Sequence, residues 1–361
     1  MTDRRLFIQS FLSALTALYL PSTSRASPAV QTPLLLLAPS NDELRTTIKE
    51  VIYKDPQFRI IGVGDAGGNT VRHMCACGVQ GIELICADSN ASTLHHNGAH
   101  KTIQLGASGL PISRPICGRI ATRKAEAEIR SAIQGTDMLF VTTNLGSGTG
   151  CGAAPEIARI AKNMGIMTVG LVTMPFDWEG PGRYGNAKAG LSELEASVDS
   201  LIVLDYEKLG DKFLSVSTME DIVTHGNDLL SNAINGIVQV VNSNSSISID
   251  FVDLQNIMST PGKTSIGTAV ASGPDRARLA AEQALASPFF EGTHLSEAKG
   301  VLVLIAASKG SLRLSEFKLA MNAIRANTSM DTHVLYGTLD DESLDNKLKI
   351  TVVATGFTSG I

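Results

Sequence analysis

Residues 59–69 read "RIIGVGDAGGN" and place Gly62, Gly64 and Gly67 in G-x-G-x-x-G spacing at the close of an apolar run. An apolar run ending on such glycines reads as a strand turning into a helix whose first amides face an anion. A second apolar run, residues 81–89 "GIELICADS", then delivers an acid, Asp88. Together these approach the dinucleotide-binding fingerprint, in which the acid holds a ribose hydroxyl. On this stretch alone a nicotinamide-dependent oxidoreductase and a protein for some other phosphate ligand both remain open.

A second glycine loop decides between them. The strand-like "DMLFVTTN" (137–144) runs into "LGSGTGCGAAPEIARIA" (145–161), where Gly146, Gly148, Gly150 and Gly152 alternate with small residues before a helical pattern. Successive backbone N–H groups followed by a helix N-terminus form a phosphate cradle. A dehydrogenase needs one such loop; two point to a ligand with several phosphates. The chain has no G-x-x-x-x-G-K-[ST], so it is not a P-loop protein. The plainer alternative is that one of the loops is only a tight turn.

Composition supports the fold class. The 361 residues are 43% apolar and 5% aromatic and include 33 glycines, which suits a helix-covered parallel sheet with many tight turns. Strand-like runs "FRIIGV", "IELICA", "DMLFVTTN", "MTVGLVTM" and "SLIVLD" alternate with helical patterns "TVRHMCACG", "KAEAEIRSAIQG" and "AAPEIARIAKNMG". After a long helix beginning near Met219, strands "TSIGTAVAS", "GVLVLIAAS", "THVLYGTL" and "LKITVVATGF" sit closer together, with two helices among them. The expected fold is α/β: a Rossmann-like parallel sheet (46–218), a central helix (219–242) and a second, smaller α/β domain (243–361). Residues 1–45 form an N-terminal extension. A net charge of −5 without a sustained basic run argues against a nucleic-acid partner. Cys75, Cys77, Cys86, Cys117 and Cys151 lack C-x-x-C spacing, and the first three read as buried reduced thiols. His95-His96 reads as a solvated helix end, and no metal site is expected.

The N-terminus carries Arg4-Arg5, an apolar run from Phe11 to Leu20 and small residues near Ala26. That pattern fits a twin-arginine-type export signal, and the apolar run is too short to span a bilayer. A membrane-surface segment is the alternative.

In order along the chain, "GVGDAGGN", "GSGTGCG", "VTMPFDWEG", "VDSLIVL", "IDFVDLQNIM", "SGPDRARLAAEQALASPFF", "SEAKGVLV" and "ITVVATGF" resemble the tubulin/FtsZ family, from about Phe58 to Phe357. The resemblance implies a GTP-binding cell division protein that binds GTP or GDP with Mg2+ and assembles head to tail with copies of itself. It implies phosphate contacts at Asp65, Ala66, Gly67, Gly68 and Asn69 and at Gly148, Thr149 and Gly150. It also implies ribose and phosphate-side contacts at Glu179 and Arg183, and reading of guanine by Asn227 on the central helix. A carboxylate takes ribose hydroxyls, a guanidinium suits anionic oxygens, and an amide offers a purine edge both donor and acceptor. The plainer readings are an exposed Glu179–Arg183 ion pair and a core amide at Asn227.

Hydrolysis in this family joins one subunit's nucleotide to the next subunit's acidic loop. Here that loop is "SISIDFVDL", with Asp250 and Asp253 as catalytic acids and Ser248 where the family carries Asn. Three further departures bear on rate. Asp65 and Tyr206 replace the family's Gly and Asn, and the stretch "GASGLPISRPICGR" is shorter than its counterpart and stiffened by Pro111 and Pro115. Read to Ile361, the chain is expected to lack the family's adaptor-binding tail. The expected location is the cytoplasm at the division site, with residues 1–26 as an export signal in the alternative. A membrane-surface contact through that segment, and an authentic FtsZ or other division proteins, complete the expected partners. A hydrolysis-poor regulatory paralogue is the second functional reading and an oxidoreductase the remote one.

Overall fold

The computed structural model describes residues 55–95, 97–106, 112–207, 218–242, 247–290 and 293–357. The N-terminal extension, Pro111 and the last four residues lie outside them. Ten strands form one sheet: β1 (Phe58–Val63), β2 (Ile82–Asp88), β3 (Lys101–Gln104), β4 (Met138–Asn144), β5 (Met167–Met174), β6 (Ser200–Asp205), β7 (Lys263–Ser272), β8 (Gly300–Ala307), β9 (His333–Asp340) and β10 (Lys347–Phe357). Their spatial order is β3-β2-β1-β4-β5-β6-β7-β10-β8-β9. The first six are all parallel, as the alternating strand and helix patterns require, and β10 alone runs antiparallel, to both its neighbours. The two halves meet where β6 pairs with β7 through only Leu201↔Lys263 and Ile202↔Thr264.

The central strands are apolar on both faces because helices cover both. Met138 to Val141 of β4 and all of β8 are buried. On one face, α1 (Gly64–Ala76) and the long α7 (Met219–Asn242) pack through Val71, Met74, Leu230, Ile234 and Ile237. On the other, α3 (Pro115–Lys124), α4 (Glu126–Ile133), α5 (Gly148–Asn163) and α6 (Pro181–Glu195) close a second core around Val141, Ile157 and Leu194. A third core lies between β8, β10 and the helices α9 (Arg276–Leu285) and α10 (Leu314–Arg325). Two short helices remain, α2 (Ala91–His95), which ends on an exposed His95, and α8 (Phe251–Met258). Among the described residues no helix is long and apolar enough to cross a membrane.

One expectation fails. Cys86 is buried, and burial pushes its thiol up to about 12, but Cys75 and Cys77 are exposed. They sit in the last turn of α1 and just beyond it, where the buried stripe through Thr70, Val71 and Met74 has already turned away.

Candidate functional site

The two glycine loops meet at the carboxyl ends of β1 and β4, where a doubly wound sheet opens a crevice for ligands. They line a cleft of about 560 Å³ with Val63, Gly64, Asp65, Ala66, Asp88, Ser89, Asn90, Ile112, Asn144, Ser147, Thr149 and Arg183. In the first loop, Gly64 takes a left-handed φ of +74°, which turns the chain from β1 straight into α1. The residue before α1 gives it no side-chain cap, so the first-turn amides stay available to an anion at the positive end of the helix. Gly67 serves packing instead: a Cβ there would stand 2.5 Å from the Thr142 carbonyl oxygen of β4. Gly68 likewise faces Thr93 and Cys86 rather than the cleft. The Asn69 side-chain Oδ1 accepts from the Arg72 guanidinium (2.7 Å).

The second loop turns at Gly146, with φ +106°, and the Gly146 amide donates to Cys151 Sγ at 2.9 Å. Ser147 caps α5, its Oγ accepting from the Gly150 amide at 3.0 Å. That amide is therefore already engaged. Gly148 has no room for a Cβ because the Ile112 carbonyl occupies that space. Thr149 is buried and lines the cleft, facing Gly64 across it.

Arg183, in the first turn of α6, lies over the second loop; a Cβ on Gly146 would stand 2.6 Å from its Cγ. It pairs with Glu179 at 2.9 Å, while the other carboxylate oxygen of Glu179 accepts from the Phe176 amide at 2.9 Å. Arg183 reaches the cleft lining and Glu179 does not. Asn227 is buried on α7 and joins that helix to α1, its Oδ1 accepting from Thr70 Oγ1 at 2.9 Å. Tyr206 is buried and stacked on Phe176, with ring centroids 5.4 Å apart.

The cleft also holds acceptors: Asp88, weighed from the sequence as a ribose-holding acid, and Asn90, Asn144 and Ser147, which the sequence did not single out. Asp88 is 5% exposed; its Oδ1 accepts from the Ser89 and Asn90 amides at 2.6 and 3.3 Å, and its Oδ2 is buried without a partner. Burial raises the Asp88 carboxyl above the usual carboxylate range, those two amides pull it back, and Asp65 adds a push upward. Asn144 Oδ1 is also buried and unpartnered. The sequence signal for Asp88, Asn90, Asn144 and Ser147 was their place just at or beyond a parallel strand's carboxyl end, where ligands bind.

The acidic loop sits elsewhere. Asp250 caps α8, accepting from the Val252 amide at 2.8 Å, and Ser248, Asp250 and Asp253 are all exposed. Among the described residues the Asp253 carboxylate has no hydrogen-bond partner. Phe251, next to Asp250, packs edge-on against Phe58 with centroids 5.8 Å apart. Phe58 opens β1, whereas the cleft begins where β1 ends, at Val63. Five residue steps at about 3.3 Å put the two ends of that strand about 17 Å apart. Both features belong to one chain but lie at opposite ends of β1.

A model of the tubulin/FtsZ family GTPase domain matches residues 57–213, and one of the FtsZ family C-terminal domain matches residues 262–358. The cell division protein FtsZ of Azotobacter vinelandii is 40% identical over 315 residues, covering 85% of this chain and 80% of that protein. Its counterpart in Coxiella burnetii is 38% identical over 314 residues, 86% and 81% of the two chains. Among solved structures, an empty FtsZ dimer from M. jannaschii superposes with a TM-score of 0.78 at 29% identity, covering 88% of this chain and 92% of the other.

Proposed function

The chain belongs to the tubulin/FtsZ family, and from that premise we propose that it is a cell division GTPase whose filaments complete each active site between two subunits. The observation that carries the reading is the separation along β1. The glycine loops lie beyond its carboxyl end and the acidic loop beside its first residue, so one chain cannot bring both to one phosphate. Head-to-tail stacking of identical subunits sets the acidic loop of one against the cleft of the next, and such heterologous contacts propagate into filaments. Neither an oxidoreductase nor a hydrolysis-poor role is needed to account for the chain.

Within the cleft, the uncapped first turn of α1 at Gly64, Asp65 and Ala66 holds phosphate oxygens through amides, and the Thr149 backbone approaches them from the second loop. Arg183 supplies positive charge over that loop, held in place by Glu179. Asn227 keeps its amide nitrogen for the guanine edge while its oxygen stays on Thr70.

The donor set fits a magnesium ion. Asp65, the unpartnered Oδ2 of Asp88 and the unpartnered Oδ1 of Asn144 are hard oxygen ligands lining the same cleft. When bound, Mg2+ neutralises charge between these acids and the phosphates. Asp253, without a partner of its own, orients the attacking water from the neighbouring subunit, while Asp250 fixes the helix that presents it. Ser248 contributes a hydroxyl at the rim of the same loop. Such a nucleotide-driven polymer works where GTP is available, which supports a cytoplasmic location.

Calorimetry on the full chain with GTP, GDP, ATP and NAD tests the ligand. Guanine nucleotides are expected to bind, and binding of NAD or ATP with no guanine nucleotide binding would overturn the reading.

A further inference from the structure

Away from the nucleotide cleft, α1 and α7 bring three metal-ligating side chains together. His73 and Cys77 stand four residues apart at the end of α1, which places them on one helix face. Asp228, on α7, faces them: His73 Nε2 lies 2.8 Å from Asp228 Oδ1, and Cys77 Sγ lies 3.6 Å from His73 Nε2. All three donor atoms fall within 4.8 Å of one another. Zinc bonds of about 2.0–2.3 Å in a tetrahedron put neighbouring donors about 3.3–3.6 Å apart, so shifts of about an ångström or less close the set. The cluster borders a polar hollow of about 460 Å³ lined by Cys77, Asp228, Ser231 and Asn235. There the hydroxyl of Ser231 and the side-chain oxygen of Asn235 are buried without partners. These are groups that a metal-bound water in the open position can satisfy.

We propose that His73, Cys77 and Asp228 form a Zn2+ site that ties the phosphate-loop helix to the central helix. One imidazole, one thiolate and one carboxylate suit zinc; they do not suit magnesium or calcium, which take oxygen donors. On binding, the Cys77 thiol gives up its proton to solvent and its sulfur becomes a ligand. His73 presents the lone pair of Nε2 with its proton on Nδ1, and Asp228 exchanges its hydrogen bond to His73 for a bond to the ion. The ion then spans the same two helices that Thr70 and Asn227 join one turn away, so it stiffens the wall of the nucleotide site without touching the nucleotide.

The test is a titration of the full, nucleotide-free chain, stripped with a chelator, using Co2+ alone as the spectroscopic probe. The expected result is one Co2+ per chain, a near-ultraviolet thiolate-to-cobalt charge-transfer band, visible absorption of tetrahedral intensity, and loss of both on adding Zn2+. Cys77→Ser should abolish the charge-transfer band and His73→Gln should weaken binding, with circular dichroism unchanged because both residues are at least partly solvated. Cys75→Ser and Cys117→Ser should leave the spectrum intact. Absence of the band from the unaltered chain would overturn the proposal. So would its survival in Cys77→Ser, or its loss only when Cys75 or Cys117 is replaced.

Discussion

Replacing Gly64 by Ala separates what the first glycine loop does for folding from what it does for binding. At Gly64 the backbone has φ +74°, and an added methyl would meet Thr149 Cβ at 3.4 Å, Thr149 Cγ2 at 3.5 Å and the Gly150 nitrogen at 3.9 Å. Those are ordinary contacts, so the stability cost is that of holding one L-residue in the left-handed region, about 1–2 kcal/mol. A domain of ordinary stability, about 5–15 kcal/mol, stays folded through such a loss. The same methyl, however, stands between the two loops where phosphate oxygens must reach backbone amides. GTP affinity should therefore fall by at least about tenfold, a further 1.4 kcal/mol that thermal unfolding of the free protein does not register. Titration calorimetry with GTP, paired with denaturant unfolding of the free protein, measures both quantities. Unchanged GTP affinity alongside the expected stability loss would remove the head of α1 from the site. Wholesale unfolding would refute the steric argument.

Three further outcomes follow from the same structure. Arg276 is buried, donates to both carboxylate oxygens of Glu316 (2.7 and 3.0 Å) and to the Ser311 and Asn346 carbonyls, so Arg276→Ala should cost about 3–5 kcal/mol in urea unfolding. The hydrogen bond from Arg276 lowers the Glu316 carboxyl, so this stabilisation is present above the ordinary carboxylate range and is lost as pH falls through the lowered value; acid unfolding should begin at higher pH in the variant. Asp88 has the opposite sign. Its raised carboxyl contributes most stability below the ordinary carboxylate range and loses it as pH rises through the raised value, so Asp88→Asn should flatten that arm of the stability curve.

The sequence makes the frame legible and the thin elements less so. The nine strands β1, β2 and β4–β10 are all readable in the sequence, and β4, β5 and β8 announce themselves most clearly as unbroken apolar runs because helices cover both faces. β3 is missed: it is four residues long with only Ile103 buried, too little for a period to register. α6 escapes because its buried positions are only Ala187, Gly190 and Leu194 in a stretch holding three glycines. Of the residues expected at the site, Asp65, Ala66, Thr149 and Arg183 line the cleft, the first three because glycine loops at strand ends have a fixed geometric meaning. Glycine spacing does not reveal that Gly67 and Gly148 are small for packing reasons, or that the Gly150 amide is spent on Ser147, because those facts lie in long-range contacts. The pairing of His73 and Cys77 with Asp228 is hidden for the same reason: the spacing of the first two is visible, but the third residue lies 151 positions beyond Cys77.

The most direct test of the shared active site mixes two inactive chains. Asp253→Ala should keep GTP affinity and lower turnover by on the order of 10²–10⁴, the usual cost of a lost positioning acid. Thr149→Trp should fill the cleft and abolish binding while leaving the acidic loop untouched. In a mixed filament, an intact cleft on one subunit meets an intact Asp253 on the next, so GTP turnover should reappear in the mixture above the sum of the two variants alone. Turnover that stays at that sum, while the unaltered chain hydrolyses GTP, would contradict the account, because it would mean the site is complete within one chain.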